Sequence, residues 1–231
     1  MPLSEDNSAV VDHKSKQAQA WLPYVVPMAL FIALSMWESK ANGAYVWLYT
    51  VKIMLVTAVL IFFRSTWRDI QPDARVIGPA VLVGLVVWAE WILLDKWIPV
   101  PRISARVAFD PYASIADATM RLFFLFVRFY GLVILVPVME ELFWRSFLLR
   151  YLTRHDWVVL PIGAFSWSAF WIVAAGFALM HPEWLVAFIC AVAYGLLLYT
   201  TRSLFACVVA HAVTNLGLGI YVLATKEWTY W

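Results

Sequence analysis

The sequence has little charge and almost no cysteine. Only 14% of its 231 residues are charged, against about 25% in an average globular protein. Two cysteines, Cys190 and Cys207, are too few for a disulfide framework. Both lie in apolar stretches, where small, inert, buried thiols are expected. There is no basic run and no glycine-rich phosphate loop, and the net charge is only +2, so nucleic acid is not an expected partner. The polar stretch up to Gln19 lacks the apolar core of a cleavable signal peptide. No internal repeat of the kind that marks many transporters is visible. The zinc-protease motif H-E-x-x-H is also absent.

What is abundant is apolar surface. Hydrophobic residues make up 64% of the chain, with a mean hydropathy of +0.77; soluble domains run at about 45–50% apolar. Fourteen Trp and ten Tyr fit side chains that favour the membrane–water interface. The expected fold class is all-α, a polytopic helical membrane protein with membrane lipid as its surroundings. Apolar runs predict spans at 21–37, 44–63, 76–94, 160–180, 184–199 and 204–223, plus a long helical region from Asp117. Pro137 is expected to kink or end that region, with a second helical piece running from Val138 to Leu152. This gives seven spans, or eight if Pro137 separates two crossings. The chain divides into a polar N-terminal tail (1–20), N-terminal transmembrane helices (21–115), a helical core (116–224) and a short C-terminal tail (225–231). Counting Lys and Arg in the loops gives eight against five in favour of an N-terminus inside. The reading is a multi-pass protein of a bacterial inner membrane.

Three polar clusters interrupt the apolar frame. The first is Glu140-Glu141-x-x-x-Arg145. Glu141 and Arg145 stand at i,i+4, so one helix turn brings them together. Glu140 is offset by about 100° and points elsewhere. Arg145 then holds Glu141 as a structural pair and leaves Glu140 for chemistry; the alternative is a charge network that only fixes helix packing. The second cluster is Phe177-x-x-x-His181, with His181 set at the end of its helix by Pro182; an ordinary interfacial histidine is the alternative. The third is His211-x-x-x-Asn215, two hydrogen-bonding side chains on one helix face in an otherwise apolar run. They need partners, because lipid offers none, and interhelical packing alone would supply them. Arg121 and Arg128, seven residues apart, share a helix face. Glu90, Asp117, an anionic lipid and a substrate carboxylate are their candidate partners.

Together, two carboxylates, two imidazoles and a carboxamide suffice for hydrolysis. A glutamate takes a proton from water, a histidine orients that water or protonates a leaving amine, and a histidine with an asparagine donates to a developing oxyanion.

At these residues the sequence resembles the CPBP family of intramembrane proteases, which includes the CAAX prenyl endopeptidases and bacterial relatives in bacteriocin processing and self-immunity. The family pattern is E-E-x-x-x-R, then F-x-x-x-H, then H-x-x-x-N, and all three parts occur here in order over about residues 115–220. The resemblance implies that Glu140 activates water with His181 as its partner. It implies that His211 and Asn215 bind the oxyanion, that Glu141 and Arg145 support them, and that Phe177 lines the site. The expected activity is cleavage of a membrane-anchored or lipidated protein, without a metal cofactor. Three other readings are open. One is a zinc hydrolase with Glu140, His181 and His211 as ligands. Another is a non-catalytic scaffold or immunity protein. The third is a transporter with Glu90, Glu140, Glu141, His181 and His211 as a relay.

Overall fold

The computed structural model describes residues 19–38, 43–98, 100–104 and 108–230. Most of the expected polar tail, and the charges Lys14, Lys16, Lys40 and Arg106, lie outside the described residues. Seven apolar helices make up the frame: α1 (Leu22–Glu38), α2 (Tyr45–Phe62), α3 (Ile77–Trp97), α4 (Ala118–Thr153), α5 (Trp167–Leu179), α6 (Trp184–Thr201) and α7 (Leu204–Thr225). No strand occurs among the described residues. Five of these helices are long and apolar enough to cross a membrane; α1 and α5 are shorter. The expectation of seven or eight spans therefore meets five that qualify by length.

Local chemistry sets the helix ends. Asp117 caps α4 by accepting from the Met120 N–H at 2.7 Å, and Ser166 and Ser203 cap α5 and α7 in the same way. The span expected from residue 160 starts only at Trp167. Pro161 and the left-handed Gly163 (φ 77°) hold the preceding segment out of helix. Arg202 ends α6 in the left-handed region (φ 55°) and donates its guanidinium to the Gly163 carbonyl. A Cβ on Gly163 would meet that side chain at 2.8 Å.

α4 is a correction to the expected break. It runs unbroken through Pro137 for 36 residues, about 54 Å at 1.5 Å per residue and longer than a bilayer's hydrocarbon core of about 30 Å. It passes the proline by widening. Gly131–Leu135 and Leu142–Leu148 are π-helical turns on either side of the α-helical stretch Val136–Glu141. In the first wide turn the Val136 N–H reaches back five residues to the Gly131 carbonyl. The next position in that ladder is Pro137, which has no N–H to give.

α3 and α7 pack closely through small residues, as membrane helices do in the absence of a hydrophobic drive between them. A Cβ on Gly84 would lie 2.5 Å from the Ala210 carbonyl oxygen, and one on Gly217 would lie 2.7 Å from the Trp88 ring. Thr214 Oγ1 donates to the Gly84 carbonyl at 2.9 Å. At one end, Lys96 donates to the Glu227 carboxylate at 2.9 Å and holds that exposed group below its ordinary carboxylate range. Toward the opposite end of the bundle, Asp69 accepts from Tyr24, Ser146 and Arg150 at 2.8, 2.5 and 2.9 Å. It thereby ties α1 and the end of α4 to the α2–α3 connection. Cys190 and Cys207 are buried and unbridged.

Candidate active site

The carboxylates of Glu140 and Glu141 diverge as their offset on α4 requires. Glu141 is fully buried and engaged: Arg145 Nη1 donates to its Oε1 at 3.0 Å, and His211 Nδ1 lies 2.9 Å from the same oxygen. Arg145, 1% exposed, has its guanidinium carbon 4.6 Å from the Phe177 ring centroid and 5.4 Å from that of Tyr194. Those rings face the buried cation, and each presents a negative π face to it, while Arg145 Nη2 has no hydrogen-bond partner among the described residues. Glu140 turns instead into a cavity of about 430 Å³. It is 7% exposed, and no hydrogen-bond partner reaches its Oε2 among the described residues.

His181, His211 and Asn215 line the same cavity, as does Phe177. His181 ends its segment just past α5, as the Pro182 spacing predicts. Its Nδ1 lies 2.8 Å from the Phe177 carbonyl and its ring stacks on Phe177 with centroids 4.5 Å apart. Trp91 flanks it edge-on at 5.8 Å. In both histidines Nδ1 faces an acceptor, so the neutral ring carries its proton there and has Nε2 as its acceptor. The three clusters predicted from sequence thus converge from α4, the α5 terminus and α7.

Asn215 holds a position that its sequence alone does not explain. Its Nδ2 donates to the Leu132 carbonyl at 2.8 Å, the acceptor whose five-residue backbone partner would be Pro137. The wide turn thus presents an orphan carbonyl, and Asn215 takes it. One amide hydrogen fixes the side chain and the other remains available.

Among the described residues, no three His, Cys, Asp or Glu side chains are grouped closely enough to hold a metal ion.

Two further expectations need correction. Among the described residues neither Arg121 nor Arg128 hydrogen-bonds to Glu90, and the two buried carboxylate oxygens of Glu90 have no hydrogen-bond partner there. Arg121 donates to the Ile115 carbonyl at 3.0 Å and lies over Tyr112. Glu38, expected in a loop, is instead the buried last residue of α1 and pairs with Lys52 of α2.

Residues 122–217 match the family model of type II CAAX prenyl endopeptidases, described as Rce1-like. This stretch is a CPBP-family protease segment. No curated protein and no solved structure matches the chain. The CPBP segment runs from the first turns of α4 into the middle of α7 and contains all seven residues of the three clusters. With its apolar helices it makes the chain an integral membrane protein with a protease-family core. α1, α2 and α3 lie outside the CPBP match, yet Phe31, Glu38, Tyr45, Lys52 and Trp91 help enclose the cavity. Sequence reading missed this contribution, although Lys52, the one charge in an apolar span, was the available signal.

Proposed function

We propose that the chain is a glutamate-dependent intramembrane endopeptidase that hydrolyses a peptide bond of a membrane-anchored or lipidated protein. The observation that carries this reading is the division of labour between adjacent glutamates. Glu141 has one oxygen held by both Arg145 and His211 and does not line the cavity, whereas Glu140 lines the cavity that His181, His211 and Asn215 share and its buried Oε2 has no hydrogen-bond partner among the described residues.

In this reading the Glu140 carboxylate takes a proton from a water molecule, and the resulting hydroxide adds to the substrate carbonyl carbon. Negative charge collects on the carbonyl oxygen. The second Asn215 N–H donates to it, and His211 borders it, oriented by the bond from Nδ1 to Glu141. His181, with Nδ1 directed at the Phe177 carbonyl, presents Nε2 as an acceptor that orients the attacking water. The proton on Glu140 passes to the leaving nitrogen as the C–N bond breaks. The products are a carboxylic acid and an amine, and Glu140 is regenerated. No step needs a metal.

The test is Glu140→Gln, which preserves shape and removes the base. Cleavage of a lipidated peptide should fall by about 10²–10⁴-fold, with the denaturation midpoint in detergent unchanged. Equal turnover by the variant would overturn the assignment.

A further inference from the structure

A second hollow, of about 360 Å³, lies between α2 and α4. Leu60, Ile61 and Trp67 form one wall, and Ile134, Leu135 and Val138 form the other. The catalytic cavity takes Leu132, Val136 and Glu140 from α4, so the two hollows use different faces of that helix. Ile61 is 51% exposed, Ile134 55% and Trp67 43%, so this groove opens outward, toward lipid. Two hydroxyls close one end of it. Thr57 donates its single proton to the Ile53 carbonyl at 2.7 Å, so the Tyr130 hydroxyl, 3.2 Å away, is the donor to Thr57. Neither hydroxyl hydrogen is left for a polar ligand, and the rest of the lining is apolar.

The other end is basic. Arg64 follows Leu60 and Ile61 by one helical turn and precedes Trp67 by one turn of the 3₁₀ segment Arg64–Asp69, so register sets it on the groove side. It is exposed and makes no ion pair among the described residues. Thr57 and Arg64 are seven positions apart, about 10 Å of rise, against about 15 Å for the hydrocarbon of one leaflet. The groove therefore fits one chain from one leaflet, the leaflet whose headgroups meet Arg64. That is the side which the Lys and Arg count marks as inside, where anionic lipids give the surface its negative potential. We infer that the groove holds one acyl chain of an anionic phospholipid whose phosphate is bound by Arg64. The chain lies against Ile134 and Leu135, two members of the wide turn Gly131–Leu135. Leu132 of the same turn holds Asn215. A filled groove supports the wide form of the turn, so the lipid raises turnover. The binding stands on the groove and Arg64; the effect on turnover rests on the protease reading above.

The test separates binding from cleavage. Delipidated protein in detergent is mixed with phosphatidylglycerol and phosphatidylcholine of identical chains, and retained lipid is counted by native mass spectrometry. One phosphatidylglycerol per chain should be retained, with about a fivefold preference over phosphatidylcholine. Arg64→Gln should erase that preference. Arg154→Gln, at an exposed cation in another connection, should leave it intact. Ile134→Trp fills the groove and should cut retention of both lipids. Wild-type cleavage of a lipidated peptide should be about fivefold faster in phosphatidylglycerol than in phosphatidylcholine, and Arg64→Gln should cleave equally in both. No retained lipid, equal retention of the two, or a preference that survives Arg64→Gln would overturn the site. Preferred retention with equal cleavage rates would overturn its coupling to the wide turn. Preferred retention with no cleavage in either lipid would count against the protease reading and leave the site standing.

Discussion

Asn215 Nδ2 donates to the Leu132 carbonyl at 2.8 Å, the acceptor that Pro137 leaves without a backbone donor. One proline in α4 thereby fixes a proposed oxyanion donor in α7. The wide turn that accommodates the proline is part of the site, in keeping with the frequent placement of π turns at functional positions.

Pro137→Ala should therefore move stability and activity in opposite directions. Alanine restores a backbone N–H, closes the wide turn toward regular helix and competes with Asn215 for the carbonyl. The denaturation midpoint should rise, since proline is unfavourable in a helix interior. kcat should fall by about tenfold to a hundredfold as the amide loses its position. Unchanged kcat would show that Asn215 does not depend on the turn.

Arg145→Ala should be among the most destabilising single changes in the chain. It leaves the Glu141 carboxylate, 0% exposed, without its guanidinium, and breaking a buried pair from one side costs about 3–5 kcal/mol. The double variant Glu141→Gln/Arg145→Met should recover most of that loss while keeping an acceptor for His211 Nδ1. Thermal denaturation in detergent of the wild type, Glu141→Gln, Arg145→Met and the double variant gives the coupling directly. Additive losses would mean that the pair is not the unit of stability.

Gly84→Ala should lower both stability and turnover. The new methyl would sit 2.5 Å from the Ala210 backbone oxygen and 2.8 Å from Val213 Cβ, so α7 must shift and carry His211 and Asn215 with it. Overpacking of this kind costs about 1–3 kcal/mol. Gly78→Ala on the same helix is the control, because its methyl would meet nothing within 4 Å. Matching denaturation midpoints for the two variants would contradict the close α3–α7 approach.

Cleavage should persist in the presence of a strong chelator, and purified protein should carry no stoichiometric zinc. Loss of cleavage in chelator with recovery on adding zinc would reverse this expectation. About one zinc per chain by elemental analysis would do the same.

The sequence disclosed the helical class and the three clusters because both are local signals. Apolar runs mark helices, and i,i+4 spacing places Glu141 beside Arg145 within one turn. Arrangements between helices were less legible. Nothing in the spacing of His211 indicates that its Nδ1 meets Glu141 seventy residues away rather than the substrate. Pro137 read as a break because proline denies a regular helix one donor. A wide turn together with an asparagine from another helix meets that deficit, and a one-dimensional pattern contains neither. Glu38 read as a loop residue for a similar reason. Its partner Lys52 lies on the next helix, and only their pairing makes the burial of both understandable.

The two wide turns of α4 also act as a setting of azimuth. Each takes in more residues per revolution than an α-turn, so together they decide which way Glu140 faces relative to Arg128 on one side and Arg150 on the other. Closing the 131–135 turn to ordinary helix with every residue retained would swing everything beyond it by one residue's rotation, about 100°. Glu140 would then leave the cavity even though every side chain of the site was still present. A single-residue deletion within 131–135, by contrast, removes the extra residue of the wide turn and keeps the azimuth, so among homologous chains length changes in this helix should fall in its wide turns and spare Val136–Glu141.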